Sequence, residues 1–263
     1  MIDIHTHILP GIDDGAASIE DALDLARAAS QEGITALIAT PHHANGTYMN
    51  PAGGVIRLVD ELNERLTESG IPVSVHTGQE IRVHDDLLDA WHRHELLTMA
   101  GSKFVLLEMP SSRIPKGMPD LVHELAIMGL LPVIAHPERN AEVVQHPERL
   151  EELIDLGAYA QVTTHSLLGG FGKRIEQASW EFLKRGNIHL VSSDAHHALR
   201  RGFRMREAYA AIERTMGASW TAYLQANAAN VLEDKPFGEQ PPMAVSSASK
   251  GAVKKLWSAL FAR

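Results

Sequence analysis

Ile2-Asp3-Ile4-His5-Thr6-His7-Ile8-Leu9-Pro10-Gly11-Ile12-Asp13-Asp14-Gly15 is the stretch from which the rest of the chain can be read. Apolar residues around His5 and His7 mark a short strand. Alternate residues of a strand face the same side, so these two imidazoles are placed to grip one ion together. Pro10-Gly11 then breaks the strand in a turn that can swing Asp14 back toward the same spot. Taken alone, His-x-His is short and common, and the segment reads equally well as a strand with two unremarkable histidines and an Asp-Gly turn.

Six further strand-like runs lie downstream, at residues 34–40, 73–78, 104–108, 132–136, 160–163 and 188–193. Helical spacing separates most of them: Ile19, Ala22, Leu23 and Ala26; Ile56, Val59, Leu62 and Leu66; Leu121, Leu125 and Met128; Leu150, Leu153 and Ile154. Repeated strand–helix alternation predicts an α/β fold with a parallel sheet and helices outside it. Near-continuous apolar strands fit burial on both faces. Seven repeats favour closure into a (β/α) barrel over an open doubly wound sheet, and the 263 residues suit one such domain. No Gly-x-Gly-x-x-Gly follows an early strand, which counts against a dinucleotide site.

The barrel is expected over residues 1–235. Residues 236–250, rich in Pro, Gly, Ser and Ala, read as a flexible linker. Residues 251–263 read as a short basic amphipathic helix, with Val253, Leu256, Trp257, Leu260 and Phe261 on one stripe and Lys254, Lys255 and Arg263 elsewhere. So short a helix needs something to fold against. Packing on the barrel or on another subunit is one reading; contact with a membrane surface or a membrane-bound kinase is the other.

Composition narrows the chemistry. Cysteine is absent, which excludes disulfides, thiolate zinc sites and a cysteine nucleophile. The net charge of −9, without a basic block, argues against nucleic-acid binding. No uncharged apolar run reaches membrane-spanning length and no secretory leader is evident, so a cytoplasmic location is expected, with the inner membrane face as a peripheral variant. Histidine is the anomaly, at fifteen residues. His92, His94, His123 and His146 sit in polar, helix-like surroundings and are given no role.

In a parallel barrel the active site lies where strands end at their C-terminal face. Every run delivers a histidine or a carboxylate there: His5 and His7; Thr40-Pro41-His42-His43; Thr77-Gly78-Gln79-Glu80; Leu107-Glu108; Ala135-His136-Pro137-Glu138-Arg139; Thr164-His165; and Ser193-Asp194-Ala195-His196. Each is ordinary alone, but chance would scatter such residues through helices and opposite loops as well. The set His5, His7, Asp14, His42, Glu80, Glu108, His136, Asp194 and His196 offers only nitrogen and oxygen donors. It suffices for two or three divalent ions, with a carboxylate such as Glu80 bridging. Manganese is the first choice, with iron, zinc or magnesium also compatible.

These motifs together resemble the polymerase-and-histidinol-phosphatase superfamily. Within it, Leu9-Pro10-Gly11-Ile12-Asp13-Asp14-Gly15 and His136-Pro137-Glu138-Arg139 are most similar to the CpsB/CapC manganese-dependent protein-tyrosine phosphatases of bacterial capsule and exopolysaccharide systems. The resemblance covers roughly residues 1–235 and implies a distorted seven-stranded (β/α) barrel with a trinuclear metal cluster. It implies that His5, His7, Glu80 and Asp194 hold one ion and that Asp14, His42 and His196 hold a second. Glu80 bridges to a third, held also by Glu108 and His136. Histidinol-phosphatase relatives often carry histidine where Asp14 stands, which favours the tyrosine-phosphatase branch.

Phosphomonoester hydrolysis needs a nucleophile and charge neutralisation. With the thiolate route closed, a metal-bridging hydroxide attacking phosphorus in line is the expected substitute. Arg139 is placed for bidentate contact with phosphoryl oxygens, and Arg201, or its neighbour Arg200, is the second candidate. The expected partner is a phosphotyrosine protein, a bacterial tyrosine kinase of the exopolysaccharide or capsule system. A small-molecule phosphatase such as histidinol-phosphate phosphatase is the nearest alternative, and a non-catalytic metal-binding scaffold the second.

Overall fold

The computed structural model describes residues 1–242. The strands are β1 (Ile2–Thr6), β2 (Ala36–Ala39), β3 (His42–His43), β4 (Ser74–His76), β5 (Glu80–Arg82), β6 (Phe104–Glu108), β7 (Leu131–Ala135), β8 (Tyr159–Thr163) and β9 (Leu190–Ser192). The helices are α1 (Ile19–Gln31), α2 (Ala52–Glu68), α3 (Leu87–His92), α4 (Met118–Ile127), α5 (Ala141–Gln145), α6 (Glu148–Asp155), α7 (Thr164–Leu167), α8 (Lys173–Arg185), α9 (Met205–Met216) and α10 (Ala218–Leu232).

All strand pairings are parallel, and the strands form two sheets, β1-β2-β4 and β3-β5-β6-β7-β8-β9. The seven expected runs therefore appear as nine strands, because the second and third are interrupted. Pro41 has no N–H to continue a ladder between β2 and β3. Between β4 and β5, the Thr77 carbonyl turns away to accept the Ala100 N–H at 2.6 Å. Each interrupted run leaves the first sheet and re-enters in the second, so His42 and Glu80 stand in register as neighbours on β3 and β5.

The two sheets also meet at the other side. Asp194 N–H donates to His5 O and His7 N–H to Ala195 O, both at 2.9 Å, and Thr6 bridges Ala195 in parallel. One set of alternate strand residues, Ile4, Ile38, Leu106, Val133 and Leu190, converges from both sheets into a single apolar cluster, joined by Ala228 and Val231 of α10. The opposite set, including Leu37, Leu107, Ile134, Val162 and Val191, packs outward under the helices. This two-residue alternation is the period that a pleated strand imposes.

The helices follow their apolar stripes with two corrections. In α2 the buried face is Val55, Val59, Leu62 and Leu66, whereas Ile56 is exposed. In α4 the buried residues are Met118, Val122 and Leu125, and Met128, just past the helix, faces solvent. The first comes from two apolar residues adjacent in phase, Val55 and Ile56; the second from extending the stripe past Ile127, where the helix ends. Ser18 caps α1, its hydroxyl accepting from the Asp21 N–H at 3.2 Å.

Within the expected linker, the described part is held against the domain: Phe237 stacks on Phe104 with ring centroids 4.7 Å apart. The remainder of that stretch and the expected helix 251–263 lie outside the described residues. Among the described residues no helix is long and apolar enough to cross a membrane.

Candidate metal centre

All nine sequence-predicted donors come together, most of them at the C-terminal ends of strands, with His42 and Glu80 opening β3 and β5 and Asp14 on the loop after β1. Four overlapping groups have ligand atoms within 4.8 Å of one another: His5-His7-Glu80; His7-Asp14-His42-His196; His5-His136-Asp194; and His42-Glu80-Glu108. The first expected set is assembled, with Asp194 Oδ1 lying 3.2 Å from His7 Nε2 and 3.6 Å from His5 Nε2. The second is assembled too, with His7 added to it. The third is distributed differently: Glu108 groups with His42 and Glu80, while His136 groups with His5 and Asp194 and also sits 2.7 Å from Glu80 Oε1.

The chemistry of this donor set fits divalent ions. His5 Nδ1 faces Gln161 Oε1 at 3.2 Å, His7 Nδ1 faces Asp13 Oδ2 at 2.7 Å, and His196 Nδ1 faces its near neighbour Asp194 O at 2.9 Å. Each acceptor fixes the ring proton on Nδ1 and turns the Nε2 lone pair inward, the arrangement that orients metal-ligating histidines. The Nε2 atoms of His5 and His7 consequently face each other at 3.3 Å. Two lone pairs so close call for a cation between or beside them. Glu80 Oε2 lies 2.8 Å from His42 Nδ1 and Glu108 Oε2 lies 3.0 Å from Arg82 Nη2, so two carboxylates and an imidazole crowd one point.

Electrostatics agree. Burial opposes ionisation of Glu80, yet the imidazoles of His5, His136 and His42 gathered around it hold it well below the usual carboxylate range. Burial likewise opposes ionisation of Asp194, and Arg139, His5, His7 and Arg201 overcome it. Glu108 is pushed up by burial and by the neighbouring Glu80 charge, a repulsion that a shared cation would relieve.

Asp194 divides its carboxylate between two tasks. Oδ1 faces the histidines, while Oδ2 accepts from Arg139 Nη1 at 2.6 Å and from Arg201 Nη2. Arg201, and not the exposed Arg200, therefore reaches the centre. Arg139 also donates to Thr163 Oγ1 at 2.8 Å, and its short turn is tied to β8 by buried Glu138, which accepts from the Thr163 N–H at 3.1 Å. A cleft of about 190 Å³ opens above Glu80 and Glu108, with His136, Arg139, Asn140 and Arg201 in its walls. His136 and Asp194 both adopt left-handed backbone conformations, with φ of 33° and 55°. Such strain at non-glycine residues gathers at functional sites.

Several supporting residues escaped the sequence reading. Asp13 and Gln161 hold histidine rings, and Gln79 fixes the approach to Glu80 by donating to Asn50 O at 2.6 Å and accepting from the Leu97 N–H at 2.6 Å. Only Asp13 left a local signal, the Asp13-Asp14 pair after His-x-His. His92, His94, His123 and His146 are exposed, away from the centre.

Gly15 makes the loop carrying Asp13 and Asp14 possible. A Cβ on it would lie 2.0 Å from His7 O and 2.5 Å from His7 Cβ. Gly15→Ala is expected to destabilise the metal-free protein by about 3 kcal/mol, as overpacking against backbone does. Urea unfolding measures this; a loss below about 0.5 kcal/mol would contradict the close approach.

Clustered nitrogen and oxygen donors beside paired arginines, at the ends of parallel strands, define a metallo-hydrolase type of centre for an anionic ester. The chain belongs to the CpsB/CapC family of capsular polysaccharide synthesis, whose profile matches residues 1–233. It is 40% identical over 245 residues to the tyrosine-protein phosphatase YwqE of Bacillus subtilis, covering 93% of this chain and 96% of that one. It is 28% identical over 223 residues to the tyrosine-protein phosphatase CpsB of Streptococcus pneumoniae, covering 83% and 92%. A crystal structure from work on YwqE and CpsB, described as unique metal-dependent tyrosine phosphatases, superposes with a TM-score of 0.89 at 40% identity, over 94% of this chain and all of that one.

Proposed function

We propose that this chain is a metal-dependent protein-tyrosine phosphatase acting on a phosphotyrosine protein, a bacterial tyrosine kinase of the exopolysaccharide or capsule system. The observation that carries the reading is the convergence of nine nitrogen and oxygen donors, five of which line one small cleft together with Arg139 and Arg201. Family membership and the likeness to YwqE support phosphotyrosine over histidinol phosphate, and the filled ligand set weighs against a scaffold. In the same reading the two sheets are one distorted seven-stranded barrel, supported by the hydrogen bonds that join β1 to the end of β9. A cytoplasmic location agrees with a kinase substrate whose phosphotyrosine is made inside the cell.

His5, His7, Asp14, His42, Glu80, Glu108, His136, Asp194 and His196 would hold two or three ions, with manganese the first choice for this donor mix. When bound, such ions acidify a water and neutralise phosphoryl charge. The chain's own residues do the rest. Asp13, Gln161 and the Asp194 carbonyl hold three imidazoles in the inward-facing tautomer. Arg139 and Arg201, anchored through Asp194, present guanidinium groups whose Nε atoms have no partner among the described residues. Those groups are placed to clamp phosphoryl oxygens and to stabilise the charge that builds during transfer.

After chelation the full chain should lose hydrolysis of a phosphotyrosine peptide, and manganese should restore it. Turnover of the peptide should exceed that of histidinol phosphate. No activity on either ester with a fully metallated protein would overturn the phosphatase reading; preference for histidinol phosphate would overturn the substrate.

A further inference from the structure

The two arginines share a neighbour that the reaction does not yet use. Phe171 lies between α7 and α8 in the run Gly169-Gly170-Phe171-Gly172. Gly169 and Gly172 adopt φ of +76° and +91°, which only glycine takes without strain. The Gly170 N–H donates to His165 O at 2.7 Å and the Gly172 N–H to Gly169 O at 3.0 Å, so the loop is a hydrogen-bonded turn. Phe171, at its tip, is 37% exposed. The Arg139 guanidinium carbon lies 4.4 Å from the ring centroid and that of Arg201 lies 5.6 Å from it. The His165 ring packs at 6.0 Å, tilted by 44°.

An isolated exposed phenylalanine needs no explanation. This one is held in a defined turn, borders both arginines and keeps part of its surface open. From that geometry we infer that Phe171 is a specificity-determining residue: its open surface receives the aromatic ring of the scissile phosphotyrosine. The inference rests on the phosphatase reading above and deepens it. A phosphoryl group clamped by Arg139 and Arg201 must carry its ester substituent outward past the guanidinium pair. An aryl substituent reaches the neighbouring phenyl ring, where offset or edge-to-face packing favours it. A substituent of one carbon does not extend so far. The two guanidinium groups also hold the ring in place by cation–π attraction, so the platform is preformed when substrate arrives.

The test uses the metal-loaded full chain and two non-hydrolysable probes, phenylphosphonate and methylphosphonate, as inhibitors of phosphotyrosine-peptide hydrolysis. Phe171→Ala should weaken phenylphosphonate about tenfold and methylphosphonate less than twofold. Phe171→Trp should keep phenylphosphonate within about threefold of the parent. Phe171→Leu, which keeps an apolar cover over the arginines, should behave like Phe171→Ala toward the aryl probe and serves as the second variant if alanine disturbs folding. Equal weakening of both probes would show that Phe171 acts only by holding the arginines, and would overturn the inference. Unchanged inhibition by both would also overturn it. Failure of the parent protein to hydrolyse phosphotyrosine at all would instead overturn the functional reading.

Discussion

Replacing Glu80 with glutamine is expected to lower kcat for a phosphotyrosine peptide by about a thousandfold or more, equivalent to about 4 kcal/mol of transition-state stabilisation. Glu80 is the point where the donor groups overlap. Its Oε2 lies 3.5 Å from both His5 Nε2 and His7 Nε2, and 2.8 Å from His42 Nδ1, while Oε1 lies 2.7 Å from His136 Nε2. Glutamine keeps the volume but removes one negative charge and places N–H donors where lone pairs converge. Metal analysis should show fewer bound ions per chain. Thermal melts separate this from misfolding: the metal-free variant should still melt cooperatively, somewhat below the parent, because it loses the carboxylate that the neighbouring imidazoles hold ionised. What it should lose is the rise in Tm that added manganese gives the parent. A kcat within tenfold of the parent, with full metal content, would remove Glu80 from the centre.

The second large effect is expected at Arg139. Arg139→Ala should cut kcat/KM by about a hundredfold to a thousandfold, the usual cost of removing one preorganised donor to developing charge. Arg139→Lys should recover less than tenfold of that, because an ammonium cannot reach Asp194 Oδ2, Thr163 Oγ1 and a phosphoryl oxygen with one fork. Arg201→Ala should fall in the same direction. The double variant should lose less than the product of the single losses, since both side chains lean on one oxygen of Asp194. Metal content should stay near that of the parent in the single variants. Unchanged kcat/KM in Arg139→Ala would overturn its role, and a drop that tracks metal loss alone would reduce both arginines to supports for Asp194.

The donor positions were legible in the sequence for a simple reason. Strand–helix alternation forces parallel strands, and parallel strands deliver their C-terminal residues to one side. His5, Glu108, His136 and Asp194 stand in or directly after an apolar run, where such a strand must end. His42 and Glu80 were found for the right reason but with the wrong strands. The runs that seemed to end in them actually break at Pro41 and after Thr77, and each donor opens a new strand. Hydrophobic patterning does not register such a break, because the apolar content continues through it.

The chain by itself therefore dictated the α/β class, the side of the sheets that carries the centre, the absence of thiolate chemistry and the nine donors. The tertiary structure decided how those donors are shared among groups, which proton each ring carries and where the arginines point. Gln161 fixes His5 from 156 residues away, and Asp194 holds Arg139 across 55. Phe171 reaches the same arginines from a loop with no donor of its own. No local period encodes these partners; they become neighbours only when strands distant in sequence are brought side by side.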